Sequence, residues 1–141
     1  KVSMERSPYD GVVEVEAESP KNLISFFANF VRSEPFKVRY IMRVIPVDRV
    51  VDTKLEAIIK AVRELSSHIA EGETFRITIE ARDSPYTEKE LIDAIADVVD
   101  RKVNLESPDK VVLLQVFGEY AGISVASPQD ILSISKLKRA V

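Results

Sequence analysis

Lys37, Arg39 and Arg43 stand at i, i+2 and i+6 in a segment rich in valine, isoleucine and tyrosine. Side chains alternate along an extended strand, so cations at even spacing project from one face and form a ribbon able to meet phosphates. Arg76, Arg82 and Lys110 lie near the ends of other alternating apolar segments and extend the set of candidate phosphate-facing cations to six. Solubility, or pairing with Glu14 and Glu16 on a neighbouring strand, would explain the same cations without a ligand. The carboxylates Glu14, Glu16 and Glu18 alternate with Val13, Val15 and Ala17. That spacing fits a solvated, edge-protecting face better than acid–base chemistry. His68 is the only histidine and there is no cysteine. Thiol nucleophiles, thiolate zinc and histidine-rich metal sites are therefore excluded, and His68 reads as a partly exposed structural residue. Neither G-x-x-x-x-G-K-[ST], G-x-G-x-x-G nor G-x-S-x-G occurs, so no phosphate loop or nucleophile elbow is present. The residues thus favour a binding module without catalytic, metal or cofactor chemistry over an enzyme. A hydrolase built on a carboxylate is the least supported class.

The elements that must position these cations fit one compact chain of 141 residues with a net charge of −3. Such a length buries roughly 68% of its unfolded surface and needs no crosslinks. A net acidic chain argues against a protein coated in nucleic acid, yet leaves room for a local basic stripe. No secretory h-region and no bilayer-length apolar run is read, and the lack of cysteine makes a cytoplasmic location the expectation.

Residues 1–9 show no periodicity and read as a loose arm. Val13 to Ala17 alternates as a half-buried strand. Ser19-Pro20 opens a helix whose stripe is Leu23, Ile24, Phe26, Phe27, Phe30 and Val31. A strand over Phe36–Val47 should carry the basic ribbon and end at Pro46. Thr53 and Glu56 have capping-box spacing ahead of a helix with Leu55, Ile58, Ile59, Val62, Leu65 and Ile69 as its stripe. Thr74–Arg82 alternates with Phe75, Ile77 and Ile79 inward. Thr87 and Glu90 repeat the capping box before a helix through Val99, with Arg101 and Lys102 complementing its dipole. Val111–Phe117 and Ala121–Ala126 make a hairpin turning at Gly118-Glu119-Tyr120, expected at the centre of the sheet. Gly122 marks a bulge or a close approach. Ser127-Pro128 opens a last helix ending in Lys136, Lys138 and Arg139. The order is an α/β (α+β) fold, a mixed sheet with helices on its faces, dividing near Asp48 into residues 1–48 and 49–141.

Three stretches resemble the THUMP domain family. They are Arg43-Val44-Ile45-Pro46-Val47; Thr74–Arg82 with the helix holding Glu90-Leu91-Ile92 and Ile95-Ala96; and Val103-Asn104-Leu105, Pro108-Asp109, Val111–Phe117 and Ile123-Ser124-Val125. The likeness is strongest to the stand-alone adaptor of tRNA cytidine acetylation. The resemblance implies a ferredoxin-like N-terminal portion, then a THUMP domain with a C-terminal helix, together binding the acceptor-stem end of tRNA. It further implies a non-catalytic adaptor that presents tRNA to a separate acetyltransferase making N4-acetylcytidine, with acetyl-CoA and ATP belonging to that partner. Phosphate-directed cations would hold RNA by shape, tolerant of sequence. The alternative is a protein-interaction module using a sheet edge or the basic last helix, without RNA contact.

Overall fold

The computed structural model describes residues 2–6 (backbone alone), 12–37 and 43–133. In chain order the elements are β1 (Val2–Arg6), β2 (Val13–Ala17), α1 (Pro20–Ser33), β3 (Arg43–Val44), β4 (Arg49–Asp52), α2 (Leu55–Leu65), β5 (Thr74–Arg82), α3 (Glu88–Ala96), β6 (Lys102–Val103), β7 (Lys110–Phe117), β8 (Tyr120–Ala126) and β9 (Leu132–Ser133). They form two compact units, residues 47–128 and residues 1–46 with 129–141. The second of these units is thus built from two separate stretches of sequence.

In the unit 47–128, five strands order as β4-β8-β7-β5-β6. β7 is central, as its apolar run, broken only by Gln115, implies: Val111, Val112, Leu113, Leu114 and Val116 are all buried. β5 pairs parallel with β7 and β6, while β8 pairs antiparallel with β7 and β4, which makes the mixed sheet expected. The helices α2 and α3 close one face. Ile58, Val62, Leu65, Leu91 and Ile95 from the helices pack on Phe75, Val112, Leu114, Val116, Ile123 and Val125 from the strands. Gly118 takes φ +61 in the hairpin turn. At Gly122 the ladder runs through without a bulge, so the close approach is what the glycine serves: a Cβ there would lie 3.1 Å from Val47 Cγ1.

The two capping boxes part company. At α3 the box forms, with Glu90 N donating to Thr87 Oγ1 (3.1 Å) and Thr87 N to Glu90 Oε1 (3.0 Å). At α2 it does not: Lys54 is the N-cap, with no side-chain cap, and Thr53 Oγ1 is buried without a partner. Leu55 N instead donates to Tyr86 Oη at 3.0 Å, so a distant hydroxyl satisfies one orphan donor of the first turn. The strand β4 was not foreseen; its four residues are too short for periodicity to show. Arg101 does not serve the dipole of α3, which ends at Ala96; its Nε donates to Ile69 O (3.0 Å) and its Nη1 to Asp100 O (2.6 Å).

In the unit formed by 1–46 and 129–141, the expected loose arm contains β1, paired antiparallel with β2 from Val2↔Ala17 to Arg6↔Val13. Ladder bonds come from the backbone, so they need no side-chain alternation. Helix α1 starts at Pro20 as expected, but its buried set is narrower than the predicted stripe: Ile24, Ala28 and Val31 are buried while Phe26 is 70% exposed. The predicted strand Phe36–Val47 is corrected at both of its described ends. Pro35–Lys37 is a 3-10 turn, and of residues 43–47 Arg43–Val44 alone is strand, paired with β9; residues 38–42 lie outside the described residues. Pro35 presets φ for that turn. The predicted last helix is likewise corrected. Pro128–Asp130 is a 3-10 turn, and Leu132–Ser133 then leaves as β9, with Leu132 packed on Ile24 and Ala28. The rest of that predicted helix lies outside the described residues.

Candidate nucleic-acid interface

The six predicted cations do not share one position in the fold. Arg39 lies outside the described residues. Lys37 and Arg43 belong to the N-terminal unit, both exposed; Lys37 sits in the 3-10 turn, 4.0 Å from Glu34, and Arg43 opens β3. The even-spaced ribbon is therefore not seen, because Lys37 is in a helical turn where side chains do not alternate.

Arg76, Arg82 and Lys110 belong to the unit 47–128. The register Phe75↔Lys110, Arg76↔Val111 and Arg82↔Phe117 brings Arg76 and Lys110 to the leading end of the parallel pair and sends Arg82 to the trailing end. Six residues of strand separate the two arginines by about 20 Å. Glu80 stands between them on the same face, in contact with Gln115 at 3.4 Å.

Each of the three also works for the fold. Lys110 Nζ bonds Glu73 Oε2 at 2.8 Å, while Ala70 N donates to Glu73 Oε1 at 2.7 Å. Lys110 above all, and then the Ala70 N–H, hold the Glu73 carboxyl below its ordinary pKa. Beside it, Thr74 N donates to Asp109 Oδ2 at 2.8 Å, and that bond lowers the Asp109 carboxyl in the same way. Arg76 Nη1 donates to Leu105 O at 3.1 Å and so fastens the loop after β6. The Arg82 guanidinium lies 5.8 Å from the Phe117 ring centroid, which in turn is 5.7 Å from the Tyr120 ring. Those spacings suit cation–π and tilted aromatic contacts.

The surroundings of the leading end are acidic. A shallow concavity of about 400 Å³ there is lined by Glu71, Gly72, Glu73, Asp100, Arg101 and Lys102. Arg101 has its donors turned to carbonyl oxygens and Lys110 is paired with Glu73, so Lys102, exposed at the same concavity, is the cation of that lining most open to an anion. Residue reading passed over Lys60 and Arg63, exposed at i, i+3 on α2 and without ion-pair partners among the described residues. Their signal was their position on the polar side of the Ile58, Val62 and Leu65 stripe. His68 is exposed in the 3-10 turn after α2. Among the described residues, no group of three or more His, Cys, Asp or Glu is placed to hold a metal. No described helix is long and apolar enough to cross a membrane.

The sheet order β4-β8-β7-β5-β6, with two helices on one face, spans the region where a known domain family aligns. The THUMP domain model matches residues 52–126, more than half of the chain. The chain belongs to the THUMP domain family. The match starts at the end of β4 and finishes with β8, so the THUMP domain coincides with the unit 47–128. Among solved structures, PH1313 from Pyrococcus horikoshii Ot3 is similar at 18% identity and a TM-score of 0.60, over 88% of this chain and 41% of that one. TrmN from Thermus thermophilus is similar at 20% identity and a TM-score of 0.43, over 65% of this chain and 31% of that one. The chain thus spans about two fifths of the length of PH1313, and that likeness concerns the fold. No curated protein matches the sequence.

Proposed function

We propose that this chain is a non-catalytic tRNA-binding adaptor that holds the acceptor-stem end and presents the RNA to a separate cytidine N4-acetyltransferase. The THUMP family match over residues 52–126 carries the reading, since a THUMP domain implies RNA, and in particular tRNA, as the ligand. Cations on strand ends and helix faces can grip a duplex end through its backbone, with little need for base contacts. The adaptor role and the acetyltransferase come from the resemblance of the three stretches described above. In this reading the chemistry, acetyl-CoA and ATP belong to the partner.

The test has two parts. Titration into a labelled tRNA over a salt series should give binding that weakens steeply with salt. Incubation of tRNA with the acetyltransferase, acetyl-CoA and ATP should yield N4-acetylcytidine by nucleoside mass spectrometry only when this chain is added. Binding without any gain in acetylation would retain the RNA reading and remove the adaptor role. A second reading, a module that docks protein through a sheet edge, is favoured by Val50, 63% exposed on edge strand β4, and by exposed Val103 on edge strand β6. A partner captured from nuclease-treated extract, with no tRNA retained on the chain, would favour that reading.

A further inference from the structure

The sheet of the unit 47–128 has one edge that its own strands leave open. β5 runs over nine residues, Thr74–Arg82, yet β6 pairs with Thr74 and Phe75 alone. There the chain turns away. Asn104 N donates to Phe75 O at 2.9 Å, and Asn104 Oδ1 accepts from Glu106 N and Ser107 N, an Asx turn that ends the strand. Along a strand, successive residues aim their backbone groups to opposite sides. Phe75 O is on the β6 side, whereas Arg82 O accepts Gly118 N on the β7 side. Ile77, Ile79 and Ala81 share the parity of Phe75, so their N–H and C=O groups point away from β7. Among the described residues no strand lies beside them. The open stretch, residues 77–81, is about 17 Å long.

Sheet edges are usually blunted by proline, by bulges or by inward-pointing charge. The stretch 77–81 has no proline, and its register against β7 advances one residue at a time without a bulge. Ile77 and Ile79 are partly buried against the core under α2 and α3, and Ala81 shares their face. Thr78 and Glu80 alternate onto the other face, between Arg76 and Arg82. A second copy of the chain fits this edge badly. The antiparallel register that pairs the whole stretch with itself sets Ile79 against Ile79, and with it Arg76 against Arg82 twice. Like charges placed opposite one another disfavour that pairing. The complementary strand has apolar side chains beside Ile77, Ile79 and Ala81, carboxylates beside Arg76 and Arg82, and a cation beside Glu80.

We infer that the open edge of β5, residues 77–81, takes up an extended segment of a partner protein as a further strand of the sheet. The recognised segment alternates apolar side chains with a central cation flanked by carboxylates. Backbone hydrogen bonds supply the grip and the alternating side chains supply the choice of partner. The inference rests on the protein-docking side of the function proposed above and not on RNA contact.

The probe is the capped peptide Glu-Val-Lys-Val-Thr-Val-Glu, added to the full chain and followed by amide hydrogen exchange and NMR titration. It should slow exchange at Ile77, Ile79 and Ala81, while Thr78 and Glu80, whose N–H groups already face β7, change little. The same peptide methylated on alternate backbone nitrogens should not bind, since its donors are gone. The charge-swapped peptide Lys-Val-Glu-Val-Thr-Val-Lys should bind about ten-fold more weakly. Ala81→Pro removes one outward N–H and spares the β7 ladder, so it should weaken binding about ten-fold with the melting profile unchanged. Equal binding of the methylated or the charge-swapped peptide overturns the inference. So does protection confined to β4 or β6, or none at Ile77, Ile79 and Ala81 with about 1 mM peptide. Protection of those amides that rises with protein concentration alone would make the occupant a second copy and overturn it as well. All of these outcomes leave the tRNA titration untouched, so this inference and the RNA reading fail separately.

Discussion

Glu73 and Asp109 are acidic side chains whose partners are built into the fold, and their ionisation ties stability to pH. Both carboxyls titrate below their ordinary values in the folded chain, Glu73 through the Lys110 ammonium and Asp109 through the Thr74 N–H. A depressed folded pKa gives stability that is complete above the unfolded pKa and is lost as pH falls through the folded one. Melting temperature should therefore be level near neutrality and decline through the acidic carboxylate range. Asp109→Asn should melt lower at neutral pH and decline less steeply in acid. Equal slopes for parent and variant would refute that link. Tyr86 offers a second residue-scale test. Its hydroxyl satisfies Leu55 N at 3.0 Å in a partly buried setting, so Tyr86→Phe should cost about 1–2 kcal/mol in a urea titration.

At the scale of elements, the two hydroxyl–carboxylate pairs that look alike in the sequence behave differently, and mutation should separate them. Thr87→Ala removes a formed capping box and should cost about 1 kcal/mol. Thr53→Val removes a buried hydroxyl that has no partner and should be neutral or stabilising, within about 1 kcal/mol. A loss at Thr53 as large as that at Thr87 would show that the hydroxyl does cap α2. The same contrast shows what the sequence made legible. Periodicity located β5, α2 and α3, which bury one side against a common core, while near-continuous apolar runs located β7 and β8, whose residues are buried on both faces. It missed β4 and mistook the surroundings of β3 and β9, since strands of two to four residues exist only through their partners. The candidate site suffered likewise. The spacing of Lys37, Arg39 and Arg43 carries meaning only in an extended strand, and the 3-10 turn at Pro35–Lys37 removes that premise. That Arg76 and Arg82 fall at opposite ends of one strand was implicit in their six-residue separation. That Lys110 is claimed by Glu73, 37 positions away, was not.

For the molecule as a whole, the two units have separate cores, and stability should divide accordingly. Leu132 sits with Ile24 and Ala28 in the core of the N-terminal unit, while the larger cluster around Val112, Leu114 and Ile123 belongs to the other. Leu132→Ala should remove about 2–3 kcal/mol from the first unit and leave the second intact. Hydrogen exchange would read this as lost protection in α1 with protection in β7 and β8 unchanged. Uniform loss across both would mean that the units unfold as one.

The pairing of β3 with β9 also sets an order of birth. On the ribosome the stretch 47–128 can complete its sheet as soon as β8 emerges, whereas β3, made before it, must wait for Leu132 and Ser133. Of the two units, the one begun earlier is thus the later to mature. Until then, the apolar side of α1 awaiting Leu132 is what a chaperone would meet.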